Sequence, residues 1–155
     1  MSHVADRILA ATVAALAAVP GIVTADIKPV YLLEDADLPA AIIEGVEDEI
    51  IERLRGLVIE EARELRFDVF IVAKAGAASF LTTAGNLHEA AALALTGSKS
   101  AMTLGGLLTR GMEISRETLD FDRDSLDQPL GGWRISVTCK YTLRSDQPGK
   151  TEKEL

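Results

Sequence analysis

From Gly131 to Gln147 the chain reads GGWRISVTCKYTLRSDQ, and its side chains alternate without a break. Trp133, Ile135, Val137, Cys139, Tyr141 and Leu143 share one parity, and Arg134, Ser136, Thr138, Lys140 and Thr142 share the other. Successive side chains on a strand point to opposite faces, so this segment must be a long strand with one buried face and one polar face. A chain containing such a strand needs a sheet and an apolar layer to cover one side of it. It also leaves a second, ordered, polar face that calls for a use.

The remaining 138 or so residues must supply that layer, and a chain of 155 residues is long enough to form one domain with a substantial core. We place this domain at 1–144 and treat 145–155 as a polar tail of balanced charge. Hydrophobic residues make up 48% of the chain, and no apolar run reaches the roughly 18 residues that a membrane helix needs. The segment ILAATVAALAAVPGIVTA has the look of a signal-peptide core and cleavage site. However, Asp6 and Arg7 cancel and leave the preceding region nearly uncharged. An alanine-rich helix from Ser2 to Val19, capped by Ser2 and stopped at Pro20-Gly21, is the simpler reading. Cys139, the one cysteine, lies on the apolar parity of the final strand and reads as a small buried hydrophobe, which suits folding in a reducing compartment.

Further elements follow from pattern. IVTADIKPVY reads as a short extended segment in which Pro29 disfavours a central strand position, and LEDADLP as an acidic link. AAIIEGVEDEI reads as a strand entering an acidic turn. Leu57 to Lys74 is a long strand whose buried parity is interrupted by Glu61 and Arg63. It should therefore project beyond the domain as a two-stranded arm paired with residues 40–52. A second helix is expected from Ser79 to Thr96, with Phe80, Ala84, Leu87, Ala91 and Leu95 as its stripe and Gly97 as its stop. Gly85 weakens that helix by up to about 1 kcal/mol relative to alanine. GSKSAMTLGG is a linker, TLGGLLTRG a flexible hinge, and MEISRETLDFDR a strand. The sum is an α+β fold, a mixed sheet with two helices packed on one face and a projecting hairpin or loop arm.

The net charge of −8 is concentrated in residues 34–37, 44–64 and 113–127. Direct grip on nucleic-acid phosphates needs clustered lysine and arginine, which these windows oppose. His3 and His88 have no partners at metal spacing, and His88-Glu89 reads as helix surface. Asp120, Asp122, Asp124 and Asp127 lack the glycine and glutamate of a calcium loop and read as a solvated turn. No nucleophile elbow, phosphate loop or dinucleotide pattern is present, so the chain does not read as an enzyme and no cofactor is expected.

The order of pieces carries one resemblance. An alanine- and leucine-rich helix leads to EDADLPA, then to a charged strand running into FDVFIVAKA, a helix ending ALALTG, the TLGGL element and a last strand ending KYTLRSD. This order resembles the phage tail terminator family, the lambda-type minor tail proteins of long-tailed phages, from about Asp6 to Asp146. The resemblance implies a non-enzymatic virion protein that caps the tail tube as a hexameric ring. Such a ring stops tube polymerisation and joins the tail to head-completion proteins. It implies a place at the head-proximal end of the tail, reached from the host cytoplasm, with DNA passing through the lumen without specific binding and no membrane partner.

On that reading Glu47, Asp48, Glu49, Glu60, Glu61, Asp120, Asp122 and Asp124 are candidate lumen or inter-subunit acids. Arg134, Ser136, Thr138 and Lys140 are candidate positions on the polar sheet face, available as ring interface or lumen wall. Two alternatives remain open. One is another neck, tail-completion or tube protein. The other, from a different class, is a small ligand-binding regulatory domain of the ferredoxin-like type, which would require a defined pocket.

Overall fold

The computed structural model describes residues 3–28, 33–56, 59–74, 80–108, 111–122 and 130–144. Along the chain these form α1 (Val4–Ala17), β1 (Thr24–Ile27), β2 (Ala40–Leu54), β3 (Glu60–Lys74), α2 (Phe80–Thr96), the short α3 (Lys99–Met102), β4 (Glu113–Asp122) and β5 (Leu130–Arg144). The five strands make one mixed sheet in the order β1-β2-β3-β5-β4, with β1 parallel to β2 and every other pair antiparallel. The fold is α+β.

The alternating segment is β5, and it pairs with β3 over the full length of both strands, from Glu60 opposite Arg144 to Lys74 opposite Leu130. Ile135, Val137, Cys139 and Tyr141 are all buried. They meet Leu65, Phe67, Val69 and Ile71 of β3 and Ala41 and Ile43 of β2 in the main core. α1 contributes Val4, Ile8, Leu9 and Leu16 to this core, and α2 contributes Leu87, Ala91 and Leu95. Both helices therefore cover the same face of the sheet. The small alanines let α2 sit close to the strands.

α1 begins one residue later than its composition suggests. Its cap is His3, whose Nδ1 accepts a 3.1 Å hydrogen bond from the Ala5 N–H, while Ser2 lies outside the described residues. An imidazole nitrogen can supply the same lone pair to an orphan helix-end donor that a serine oxygen would. Thr12, the one buried polar side chain of α1, donates to the Ile8 carbonyl at 2.8 Å and so needs no other partner. In α2 the expected stripe is buried from Ala84 to Leu95, whereas Ser79 lies outside the described residues, as does the Phe80 side chain. The Gly97 N–H closes the helix by donating to the Leu93 carbonyl at 2.8 Å.

Three expectations change. The acidic segment after Ile43 is no turn: β2 runs on to Leu54. It absorbs Gly45, at φ +65°, in a register shift between Glu44 and Glu47, and a second shift falls between Ile50 and Glu52. A bulge lets a strand keep pairing through residues that break its parity. The arm has three strands, because β5 accompanies β3 along it as far as Arg144. The glycine-rich linker is ordered: Ser98 caps α3, Leu104, Gly105 and Gly106 turn the chain in left-handed conformation, and Leu107 and Leu108 are buried.

The second face is also only partly polar. Leu33 and Leu38 cover Ala40, Ile42, Phe70 and Val72 in a separate apolar cluster. Polar residues take over where that cover ends.

Candidate functional site

Beyond Ile43, β1 no longer accompanies β2, and the β2 residues from Gly45 to Leu54 are exposed. An extended strand rises about 3.3 Å per residue, so this stretch reaches on the order of 30 Å from the β1 end of the sheet. Backed by β3 and β5, it forms the projecting arm. Five of the eight exposed large hydrophobic side chains of the described residues are here: Val46, Ile50, Ile51, Leu54 and Ile59. Isolated exposed aliphatics are ordinary, but a concentration of them on one projection marks a surface that meets something.

The candidate acids of the arm divide between its two faces. On the helix side, Asp48 lies opposite Leu65 and accepts hydrogen bonds from the Tyr141 hydroxyl at 2.7 Å and from Arg63 Nη1 at 3.0 Å. Glu61 sits between Arg63 and Arg53, at 2.9 Å and 2.8 Å. The hydrogen bond from Arg63 holds the Glu61 carboxyl below the usual carboxylate range, against the upward pull of its partial burial. Arg63 itself is pulled down by burial, but its bond to Glu61 and the charge of Asp48 raise it on balance. Burial and the bond to Asp48 push the Tyr141 phenol up.

On the opposite face, Glu47 lies opposite Arg66 and Glu49 opposite Glu64. Arg66 joins Glu49 at 2.9 Å and Glu64 at 2.6 Å, and the Glu64 bond raises its own pKa. Glu60 lies opposite Leu54 at the far end. The arm acids therefore do not present one acidic wall. Asp48, Glu49, Glu61 and Glu64 are bound to arginines in two separate networks, one on each face. The sequence shows the charges but not the bulge at Gly45 that switches the parity of β2, so that Asp48 faces the helix side and Glu49 the other.

Asp120 and Asp122 belong to β4, with backbones opposite Gly132 and Leu130, so they lie on the strand that the spacing of MEISRETLDFDR gives and not in a solvated turn. Their side chains lie outside the description, and Asp124 and Asp127 lie outside the described residues entirely. Asp120 and Asp122 are thus remote from the arm, which takes off at the other end of β5.

The four polar-face candidates do share the face away from the helices. Arg134 stacks its guanidinium over Phe70, 4.7 Å from the ring centre, and reaches across β3 to Glu44 at 2.7 Å and Asp68 at 3.6 Å. Ser136 donates to Asp68 at 2.9 Å. Thr138 and Lys140 continue the row opposite Arg66 and Glu64. This ladder ties three strands together, and it uses much of the polarity that the alternation left open.

His88 is not a plain surface residue. Its ring stacks on Trp133 with centres 4.6 Å apart, and its Nε2 lies 3.4 Å from Glu117. Nothing in the local helix pattern signals this, because both partners come from strands. Elsewhere, Arg7, Ala10 and Ala11 of α1 and the turn from Leu104 to Leu107 line an open hollow of about 470 Å³. Among the described residues no group of three or more His, Cys, Asp or Glu comes together as a metal site, and no helix is long and apolar enough to cross a membrane.

Compared with known proteins, the chain matches no protein-family model and no curated protein.

Proposed function

We propose that this protein is a structural, ring-forming virion component that caps a phage tail tube and joins it to the head. The observation that carries the reading is the arm: a three-stranded extension of the sheet, stiffened by ion pairs on both faces, with five exposed aliphatic residues along β2 and its turn. A head-to-tail ring needs each subunit to offer two unlike surfaces. An arm reaching past the helical layer supplies one, and the body of the next subunit supplies the other. The two-helix sheet and the order of elements agree with the resemblance to tail terminators, and the polar ladder around Arg134 gives a rigid wall instead of a grip on phosphate.

Electron microscopy of particles assembled without this protein tests the reading. Overlong tail tubes without heads, beside filled heads without tails, are the expected result. Tails of normal length joined to heads would overturn it, and missing tubes would assign the chain to the tube itself or to its initiation.

The hollow beside Arg7 favours a second reading, a small ligand-binding domain. That reading requires ligand-dependent thermal stabilisation, which a ring component does not.

A further inference from the structure

We propose that the free edge of β2, from Glu44 to Leu54, is a strand-addition site for an extended segment that alternates lysine or arginine with aliphatic residues. β1 pairs only with Ala40 to Ile43, and Lys28-Pro29 follows it directly. Among the described residues, no strand occupies the outer side of β2 past that point. An edge strand presents unpaired N–H and C=O groups that can template another strand, and extended peptides bind sheet edges in this way.

Two features fix the chemistry of the occupant. The edge carries Glu44, Glu47, Asp48, Glu49 and Glu52 against the single Arg53; Glu44, Asp48 and Glu49 are shared with Arg134, Arg63 and Arg66, and Glu47 and Glu52 keep it net negative. It also carries Val46, Ile50, Ile51 and Leu54, each 40–56% exposed. Acids and two register shifts would blunt the edge against chance pairing, but a strand shaped only for protection has no use for four exposed aliphatics. The same charge disfavours a second copy of this chain through the same edge, since two β2 edges would set Glu47 and Glu52 of one copy against those of the other. The opposite edge of the sheet, β4, is likewise acidic, and among its described side chains none is an exposed large hydrophobic, so they lack the apolar half of the signature. The inference shares the arm with the ring reading but concerns the backbone edge of β2, and its test on the free protein does not depend on ring assembly.

The test uses the full chain and three synthetic eight-residue peptides, read by amide hydrogen exchange. One alternates lysine and valine, one alternates glutamate and valine, and the third is the lysine peptide with alternate backbone nitrogens methylated. The expected result is that the lysine peptide slows exchange of amides in residues 44–54 by about tenfold or more, through new backbone hydrogen bonds. The effect should weaken as salt rises from about 0.05 M to 0.3 M. The glutamate peptide and the methylated peptide should give no protection there. Equal protection by the methylated peptide would overturn strand addition, and equal protection by the glutamate peptide would overturn the charge assignment. Protection centred on residues 113–122 would move the site to β4. Protection of 44–54 without peptide, growing with protein concentration, would assign the edge to a second copy and overturn the proposal.

Discussion

The Tyr141 hydroxyl donates a 2.7 Å hydrogen bond to Asp48 across the intervening strand β3, joining residues 93 apart in sequence at the base of the arm. Arg63 of β3 completes the contact on the same carboxylate. A hydrogen bond to a charged acceptor is worth about 1.5–3 kcal/mol when lost from a partly buried site. Tyr141→Phe should therefore lower unfolding free energy by about 1–2 kcal/mol, because Asp48 keeps its arginine. Asp48→Ala should cost more, since it leaves the phenol without its acceptor and removes one of the two carboxylates on Arg63, which keeps Glu61. Urea denaturation of the two variants checks the order. A Tyr141→Phe protein as stable as the parent would show that the arm is held without this bond.

Glu61 gives the arm a pH dependence of known sign. Its carboxyl is held below the ordinary range by the Arg63 bond, so the folded state keeps its charge after the unfolded chain has taken up a proton. The stabilisation is complete above the unfolded pKa of about 4.5 and is lost as pH falls through the lower folded value. Glu61→Gln should thus be less stable than the parent at neutral pH, and the gap should close as acid is added. Denaturation midpoints measured at several pH values test this. A gap that stays constant with pH would mean that Glu61 acts through packing alone.

The regular strands were legible because their burial follows a period of two. Val137, Cys139 and Tyr141 are buried where the alternation places them. The acidic stretch was not, because Glu47, Asp48 and Glu49 in a row resemble a turn, and only the arginines of β3 make them acceptable on a strand. Gly45 was the available signal: a glycine inside a strand pattern often marks a bulge. The third strand of the arm follows from the length of β5, whose alternation runs on to Thr142 with no break at the edge of the core. The contact between His88 and Trp133 spans α2 and β5 and rests on how the two pack, which no local pattern encodes.

Cys139 should report on the core chemically. Burial pushes its thiol from 9.0 up to about 12, so at pH 8 the native protein presents neither thiolate nor access. Labelling by a thiol reagent should proceed only through unfolding and should follow denaturant concentration. The linkage has the opposite direction from that of Glu61. From about pH 9 the unfolded thiol ionises while the folded one does not, and stability falls by up to about 1.4 kcal/mol per pH unit until the folded group titrates. Tyr141 adds to the same loss at still higher pH. Cys139→Ala should shallow this alkaline slope. Rapid labelling of the native protein at pH 8 would place the thiol at the surface.

Two glycines separate backbone approach from helix propensity. A β-carbon on Gly132 would run into the Ile71 carbonyl oxygen and lie 2.7 Å from its carbon, both backbone atoms of the neighbouring strand. Gly132 pairs with Val72 inside the β3–β5 ladder, so neither strand can withdraw without breaking it. Gly132→Ala should cost about 3 kcal/mol or more, in the range reserved for severe overpacking. At Gly85 in α2 the added carbon meets nothing within 4 Å, and Gly85→Ala should stabilise the protein by up to about 1 kcal/mol through helix propensity. Thermal unfolding of the pair is the measurement. A mild effect at Gly132 would show that β5 can shift along β3, and the register that carries the arm would then be less firmly fixed than its pairing implies.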